Sequence, residues 1–178
     1  MKKPIHAIER ILLSWKSPSY VMMVGVPGVG KSTFLKRLLA GLDEKTYIAS
    51  TDDLIEVYAA KHGLTYSEAF HKCNQKQLKR DMEAGIEKAF HTKTSIFHDQ
   101  TNMSRKSRAS KLEPIPDGYF KICLNFTVDD KILLQRLDDR AKATGKVIPP
   151  FVLKNMFDNY DRPSTTEGFD LIIKIDNS

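Results

Sequence analysis

A strand-to-helix turn rich in glycine constrains this chain more than any other feature. Residues 21–33 read VMMVGVPGVGKST, so an apolar run leads directly into three glycines, a proline and a lysine. Each ordered glycine loses more backbone entropy than an alanine would, which makes the turn a costly way to build a core. Such a turn is favourable where bare backbone must approach a partner closely. The pattern Gly-x-x-x-x-Gly-Lys-Ser, from Gly25 to Ser32, predicts a loop that folds around an anion.

The amide groups of such a loop predict a site for a nucleoside triphosphate. Successive N–H groups turn inward, and the start of the following helix adds its own free N–H groups and its dipole. Lys31 supplies a mobile charge for the β- and γ-phosphates, and the Ser32 hydroxyl is suited to Mg²⁺. An ordinary glycine-rich turn is the alternative, which the flanking strand and helix disfavour. We therefore expect ATP and Mg²⁺ as cofactors, with the nucleotide bound by Gly25, Gly28, Val29, Gly30, Lys31, Ser32 and Thr33.

Length and composition indicate one globular domain over residues 1–178. Hydrophobic residues make up 41% of the chain and charged residues 28%, which provides enough apolar material for a core. The formal charge of +6 is compatible with a polyanionic partner, although many enzymes carry a similar excess. The apolar runs are too short for a transmembrane helix, so we expect no membrane partner, and no obligate protein partner can be inferred. Cys73 and Cys123 match no metal or disulfide spacing, which favours a reduced, cytoplasmic setting.

Short apolar segments alternate with longer amphipathic ones along the chain. Residues 1–17 are predicted to form an N-terminal amphipathic helix, because apolar side chains recur there at helical spacing. Strands are predicted over residues 20–24, 46–49, 94–98, 119–126 and 171–175. Further helices are predicted over residues 32–40, 53–61, 67–91, 104–112, 129–143 and 150–160. Five strands with intervening helices predict an α/β fold of the P-loop NTPase/kinase type, in which helices flank a five-stranded parallel sheet.

Two aspartates, Asp52 and Asp53, follow the second predicted strand in the sequence STDD. In a parallel sheet this is the edge at which ligands bind. A carboxylate there is suited to accept the proton of a substrate hydroxyl or to orient that hydroxyl for attack. The alternative is that one of the pair caps the next helix. Both roles are compatible, with Asp52 facing the substrate and Asp53 capping or supporting.

A third acid, Asp99, follows the third predicted strand in the sequence FHDQTN. An acid at this position supports Mg²⁺ in many P-loop enzymes, so Asp99 and Ser32 are the expected metal-binding residues. Thr101 and Asn102 offer neutral hydrogen-bonding groups where the chain leaves the sheet. A turn stabilised by side-chain hydrogen bonds explains those two residues equally well.

A pair of arginines, Arg136 and Arg140, lies in LLQRLDDRAKATGK at a spacing that puts both on one face of a helix. Next to a transferring phosphoryl group, such arginines neutralise developing charge. On spacing alone a solvated or ion-paired role is favoured, since two aspartates lie between them. Gly145 and the prolines that follow it would let residues 136–149 act as a helical lid with a defined end.

Taken in order, these segments resemble the kinase domain of the polynucleotide kinase family. That family includes the phage 5′-end-healing kinase and the kinase half of the animal polynucleotide kinase–phosphatase. The resemblance runs from about Tyr20 to Ile175 and is weakest between Tyr58 and Phe90. The segments that carry it are GVPGVGKSTFLKRLL, STDD, FHDQTNMSRKSR, LLQRLDDRAKATGKVIP and YDRPSTTEGFDLIIKI.

The resemblance implies a role for each matching residue. Lys31 and Ser32 would hold the donor phosphates and Mg²⁺, Asp52 would be the general base, and Arg136 and Arg140 would be lid arginines. The catalytic residues implied are therefore Asp52, Lys31, Arg136 and Arg140. Asp99, Thr101 and Asn102 would match the segment beside the acceptor, and Asp53, Arg105 and Arg108 are further candidate substrate contacts. A phage-encoded enzyme of this kind would act in the host cytoplasm.

Two departures from the phage pattern concern the acceptor. Ile55 stands where the phage enzyme has an arginine for the acceptor phosphate, and Thr51 replaces a basic residue before the aspartates. Two basic groups could replace those contacts, since phosphate contacts of this type position a nucleic acid without reading its sequence. They are Lys72, Lys76, Lys79 and Arg80 in one group, and Arg105, Lys106, Arg108 and Lys111 in the other. A solvated helix face is the alternative for both groups.

Several function classes remain open from the sequence. The leading one is ATP-dependent transfer of the γ-phosphate to a nucleic-acid hydroxyl, most simply the 5′-OH end of DNA or RNA. A close variant phosphorylates 5-hydroxymethyluracil bases in phage DNA, which would have to be flipped out. The others are a small-molecule kinase, for example one acting on a nucleoside, and a nucleotide-gated binding protein.

Overall fold

Five parallel strands form the centre of the molecule, which is described by a computed structural model over residues 2–42 and 45–178, with side chains from residue 5 onward. The strands are β1 (Ser19–Val24), β2 (Thr46–Ala49), β3 (Ser95–His98), β4 (Phe120–Thr127) and β5 (Leu171–Asp176). Their order across the sheet is β2-β3-β1-β4-β5, and every neighbouring pair is parallel. This order puts β1, which leads into the glycine-rich loop, at the centre of the sheet.

Eight α-helices connect and cover the strands in the described part of the chain. A short 3-10 helix, Thr165–Glu167, precedes β5. The α-helices are α1 (Lys2–Ser14), α2 (Lys31–Leu39), α3 (Thr51–His62), α4 (Tyr66–Lys72), α5 (Gln75–His91), α6 (Arg105–Leu112), α7 (Asp130–Thr144) and α8 (Pro150–Asp158). The ends of each predicted strand lie within one residue of the observed ends. The prediction succeeds because apolar runs, and the glycines and aspartates that follow them, are local signals.

The core has two main apolar clusters, one on each face of the sheet, and a third, smaller cluster formed by residues of α3 and α4. Side chains alternate along β1, so Val21 and Met23 point into one apolar cluster and Tyr20 and Met22 into the other. Ile8 of α1 belongs to the cluster around Val21. Both faces of a parallel sheet need such cover, which explains why all six residues of the central strand β1 are buried. The edge left free for a ligand is the one at the carboxyl ends of the strands.

The prediction of one long helix over residues 67–91 is wrong. Two helices occupy this segment, α4 and α5, and the chain between them is extended at Cys73 and Asn74. The side chain of Asn74 accepts a hydrogen bond from the Gln77 N–H and so starts a new helix. Thr65 and Glu68 form a capping box that starts α4. Phe70, which the single-helix prediction puts in an interrupted apolar stripe, is 45% exposed.

The segment predicted to act as a lid consists of the second half of α7 and the loop that joins it to α8. Gly145 ends α7 with a φ of 70°, which favours glycine, and Pro149 and Pro150 start α8. Within the described residues, none of the helices combines the length and hydrophobicity that a bilayer crossing requires.

Candidate active site

A cleft of about 790 Å³ opens at the carboxyl ends of β1, β2 and β3. The glycine-rich loop and the start of α2 form one wall, and α3 begins at the next. Residues 99–101, which follow β3, and the side chains of Ser107 and Lys111 in α6 form a further wall. The remaining wall is formed by the lid residues Arg136, Arg140, Thr144 and Lys146. Strand order alone brings these segments together, as the ligand edge of an open parallel sheet predicts.

The glycines of the loop are required by both their backbone angles and their neighbours. Gly30 has a φ of 97°, and a Cβ there would lie 2.6 Å from Asn177 Nδ2. Gly28 has a φ of 86°, and a Cβ there would lie 2.9 Å from Leu137 of α7. Alanine would be strained at both positions and would also clash. The lid helix therefore packs directly on the phosphate loop.

Lys31 lies buried at the base of the loop. Its ammonium donates hydrogen bonds to the carbonyl oxygens of Gly25 (2.8 Å) and Val26 (3.1 Å). Burial lowers the pKa of Lys31 to about 8, against the opposing effect of nearby Asp99 and Asp52. A buried cation with only carbonyl acceptors is suited to bind a phosphate oxygen.

Ser32 and Asp99 form a pair of oxygen ligands beside Lys31. The Ser32 hydroxyl donates to Asp99 Oδ2 at 2.6 Å. Burial raises the pKa of Asp99, and the Ser32 hydrogen bond and Lys31 oppose that effect. Among the described residues there is no group of three or more side chains able to hold a metal alone. The pair fits Mg²⁺, which binds proteins through few carboxylates and completes its shell with substrate phosphates and water.

Asp52 stands in the first turn of α3, opposite the phosphate loop. Its carboxylate accepts a hydrogen bond from the Tyr66 hydroxyl at 2.7 Å and another from Lys146 at 2.5 Å. Burial acts to raise the pKa of Asp52, but the charge and hydrogen bond of Lys146 and the hydrogen bond of Tyr66 outweigh it and lower the pKa overall. The side chain is still 54% exposed. Asp52 is therefore an ionised carboxylate that an acceptor can reach.

Neither aspartate of the STDD segment caps α3. Ser50 is the N-cap, and its hydroxyl accepts from the Asp53 N–H at 3.1 Å. The interpretation in which Asp53 caps the helix is wrong, because Ser50 holds the N-cap position and Asp53 lies within the first turn of α3. Asp53 lines the cleft next to Asp52.

The two lid arginines, Arg136 and Arg140, differ in whether their N–H groups have hydrogen-bond partners. Arg136 donates to the carbonyl of Asn177 at 2.9 Å. Arg140 has two buried nitrogens, Nε and one terminal nitrogen, with no hydrogen-bond partner in the described structure. Burial lowers the pKa of Arg140, and Asp52 opposes that effect. Unpaired buried donors are costly, so Arg140 is poised for an anion that enters the cleft.

Comparison with known proteins places the chain in a family. The family model described as an AAA domain matches residues 21–163, which is most of the chain. The chain belongs to the AAA domain family. The narrower resemblance to polynucleotide kinases stays a prediction.

This AAA domain resembles one curated protein in sequence and two solved structures in fold. It is 29% identical over 156 residues to L-seryl-tRNA(Sec) kinase of Methanococcus maripaludis, a match that covers 85% of this chain and 56% of that protein. A gluconokinase from Sinorhizobium meliloti 1021 has a TM-score of 0.52 at 16% identity, over 89% of this chain and 82% of that chain. The Pnkp1/Rnl/Hen1 complex has a TM-score of 0.53 at 19% identity, over 67% and 39%. The structural likeness confirms the predicted fold class, an α/β fold of the P-loop kinase type.

The structure assigns a structural place to Arg108, which the sequence had suggested as a substrate contact. Arg108 is fully buried and pairs with Glu167 through two hydrogen bonds of 2.8 and 2.9 Å. Its other terminal nitrogen donates to the carbonyls of Asn102 and Met103. Because the side chain is fully buried and four of its five N–H donors are used within the fold, the structure does not support the substrate role.

Asn102 is likewise buried and engaged within the fold. Its amide nitrogen donates to the Met23 carbonyl at 2.8 Å, and its amide oxygen accepts from Lys111. Its φ of 48° marks a sharp turn of the chain after β3. The alternative of a structural turn is therefore correct for Asn102, whereas Thr101 lines the cleft.

The remaining suggested positions are Arg105, outside the cleft, and three residues of the phosphate loop and the first turn of α2. Arg105 is exposed, and its side chain reaches Thr166 at 3.5 Å. Gly25 donates its N–H to the Thr101 carbonyl. Val29 is buried and presents its carbonyl to Asn177, while Thr33 lines the cleft.

Two partners of Asp52 were missed by reasoning from the sequence. No signal in the sequence indicated a role of Tyr66 at Asp52, and Lys146 had no role beyond its place in the lid. The Lys146 ammonium lies 3.8 Å from the centroid of the Tyr66 ring, so the three side chains form one cluster. Ile55, the position of the missing arginine, is buried against Ala59 and its neighbours and cannot reach the cleft.

Proposed function

We propose that this AAA domain transfers the γ-phosphate of ATP to a hydroxyl of a nucleic acid, most simply the 5′-OH end of DNA or RNA. The observation that carries the proposal is the placement of Asp52, an ionised and reachable carboxylate in the same cleft as Lys31. A nucleotide switch needs only water as acceptor, so it has no use for such a carboxylate.

The donor half of the reaction follows from the loop. Lys31 and the free N–H groups at the start of α2 would hold the phosphates of ATP, and Arg140, which has two unpaired donors in the same cleft, would bind the γ-phosphate. Ser32 and Asp99 would hold Mg²⁺, which neutralises charge on the β- and γ-phosphates when bound.

The acceptor half depends on Asp52. The hydroxyl donates a hydrogen bond to the carboxylate, whose oxygens keep lone pairs free beside Tyr66 and Lys146. As the new O–P bond forms, the bond between the γ-phosphorus and the bridging oxygen breaks, ADP leaves and the hydroxyl proton passes to Asp52. A low pKa suits this task, because a loose transition state requires orientation of the hydroxyl more than early proton removal.

Three observations support a nucleic acid as the acceptor. The chain carries a net charge of +6. The relative at 29% identity is by its name a kinase of a tRNA-borne seryl group. The ordered segments from Gly25 to the YDRPSTTEGFD stretch resemble polynucleotide kinases. A basic chain attracts phosphate backbones over a distance and so favours such acceptors.

The test is an acceptor panel with radiolabelled ATP. It contains single-stranded, nicked and duplex DNA, RNA and hydroxymethyluracil-containing DNA, all with 5′-hydroxyl ends. We expect label at 5′ ends; label at internal modified bases would assign the hypermodification reaction instead. Label on none of them would overturn the proposal.

Substitution of the proposed base gives the first prediction. Asp52→Asn should lower transfer by about 10²–10⁴-fold while ATP binding stays nearly unchanged, because the carboxylate contacts the acceptor and not the donor. Glu56→Gln removes a carboxylate one turn further along α3 and should keep transfer within about threefold. Near-normal turnover of Asp52→Asn would refute the assignment.

A small hydroxylated molecule is the second candidate acceptor. The fold is shared with a gluconokinase, and the cleft has room for a nucleotide and a compact second substrate. Nucleosides and sugar acids in the same panel test this candidate.

A further inference from the structure

Lys111 is a cation in the cleft without an anionic partner. It stands in the last turn of α6 and lines the cleft together with Ser107 and Gln100. Its ammonium donates to the Asn102 amide oxygen at 2.5 Å and to the Ser107 hydroxyl at 3.2 Å. Across the described ranges, no carboxylate forms an ion pair with Lys111. Both of its partners are neutral.

The surroundings make this position unfavourable for a charge when the cleft is empty. Burial lowers the pKa of Lys111 to about 8, and the other contribution comes from a second cation, Lys79. Lys79 is exposed and lies 3.6 Å from Glu83 on its own helix, so it does not compensate Lys111. If Lys111 only held Asn102 in place, a neutral amide donor would do so without the cost of burying a charge.

The Lys111 ammonium and the Ser107 hydroxyl place two hydrogen-bond donors next to each other. The ammonium has three N–H groups, of which two are used by Asn102 and Ser107. Ser107 accepts from Lys111, so its own O–H is available to donate. A phosphate monoester or diester has the non-bridging oxygens to accept from both groups, and charge-assisted bonds of this kind are the strong ones.

We propose that Lys111 and Ser107 form a second anion subsite, which holds a phosphate of the acceptor while the acceptor hydroxyl meets Asp52. This inference rests on the proposed function, in which that phosphate is the phosphodiester nearest to the 5′-hydroxyl. The acceptor side of the cleft then has a carboxylate at one end and a cation at the other. Asp52 binds the hydroxyl of the acceptor, and Lys111 binds its phosphate.

The experiment crosses three enzymes, the wild type and two variants, with two acceptors. The acceptors are 5′-hydroxyl oligonucleotides whose first linkage is either a phosphodiester or a neutral methylphosphonate. Lys111→Gln removes the charge and keeps an N–H donor for Asn102. Lys106→Gln is the matched control, because Lys106 lies exposed on the same helix and does not line the cleft.

We expect the wild type and Lys106→Gln to prefer the phosphodiester by about 10- to 100-fold in kcat/KM. Lys111→Gln should have the same kcat/KM for both acceptors. That value should be about equal to the kcat/KM of the wild type for the methylphosphonate. Thermal unfolding checks that Lys111→Gln is folded. A preserved phosphodiester preference in Lys111→Gln overturns the subsite, because the charge would then act elsewhere.

A binding measurement separates failure of the subsite from failure of the proposed function. If the wild type phosphorylates no 5′-hydroxyl oligonucleotide, the proposed function fails. The subsite is then judged by inorganic phosphate, titrated into enzyme saturated with a non-hydrolysable ATP analogue. The ¹⁵N signal of the Lys111 ammonium, assigned by its loss in Lys111→Gln, should shift in the wild type and in Lys106→Gln. An unchanged signal overturns the subsite.

Discussion

The chemistry of single residues in the cleft is governed by burial. Lys31 and Lys111 both have a pKa of about 8 because burial penalises their charged forms, and both face the space where anions are expected. A bound phosphate would favour the charged form and raise each pKa again. Affinity for anions is therefore coupled to protonation at both ends of the cleft.

The coupling at Lys31 predicts how ATP binding depends on pH. The empty site has a pKa of about 8 and the occupied site a higher one, so binding takes up a proton above pH 8. Below that pH, Lys31 should contribute no pH dependence to ATP affinity. Above it, the affinity should fall by about tenfold per pH unit, because Lys31 must first take up a proton. Calorimetric titration between pH 7 and 9.5 measures the slope. Lys31→Ala should bind weakly and without this slope; an equal slope in that variant would assign it to another group.

The buried pair of Arg108 and Glu167 predicts a large effect on stability. Their side chains are 0% and 2% exposed, so removal of one partner leaves a buried charge unpaired. Arg108→Met should lower the free energy of unfolding by about 3–5 kcal/mol, measured by urea denaturation. Arg105→Met, one turn earlier and exposed, should change it by about 0.5 kcal/mol or less. A stable Arg108→Met that has lost acceptor binding would restore the substrate role.

At the scale of elements, the lid segment is held to α3 and α4 by a small number of polar contacts. Lys146 pairs with Asp52, the Ser67 hydroxyl donates to the Gly145 carbonyl, and Gly145 lies against Thr65. In the loop after α7, Val147 is 62% exposed and adds little apolar burial, whereas Leu137 of α7 packs against the core. We therefore expect this loop to open at a lower free-energy cost than α7, which would admit a substrate.

Removal of the Lys146 charge should therefore loosen the lid. Lys146→Met should speed hydrogen exchange over residues 138–149 by about fivefold, the equivalent of about 1 kcal/mol. Because Lys146 lowers the pKa of Asp52, the acid limb of the kcat/KM profile should also move to higher pH. Lys142→Met breaks only an exposed ion pair with Asp138 and should leave both measurements unchanged. Exchange rates equal to those of the wild type would contradict the docking role of Lys146.

At the scale of the whole molecule, α1 is an integral part of the core. Ile5, Ile8 and Leu12 join the cluster that covers one face of β1 and packs with α2. The amphipathic pattern of residues 1–17 thus serves packing within the molecule, which burial on both faces of a parallel sheet requires.

Truncation of one buried side chain in α1 tests this. Ile8 is 1% exposed, so Ile8→Ala should lower the free energy of unfolding by about 2–4 kcal/mol. Leu13, on the same helix, is 57% exposed, and Leu13→Ala should change it by about 0.5 kcal/mol or less. Guanidinium denaturation of both variants gives the comparison. Equal effects would show that α1 does not pack as described.

The local signals of the sequence determined the elements and the donor site. Apolar runs ended by glycine or aspartate located every strand, and the Gly25–Ser32 pattern located the phosphate loop. Both are short-range properties, in which neighbouring residues alone set the backbone angles and the spacing. The break at Asn74 was missed because an N-cap inside a polar helical stretch looks like an ordinary surface residue.

Tertiary structure alone decided which charges serve the fold and which face the cleft. Arg105, Arg108 and Lys111 recur every three residues along α6, yet the first is exposed, the second is buried against Glu167 and the third lines the cleft. The sequence makes the three equivalent, because the spacing fixes only their relation to one another. The rotation of α6 against the sheet, set by packing, gives each its environment. Tertiary packing of the loop after α7 likewise brings Lys146 to Asp52 of α3, across 94 positions of the chain.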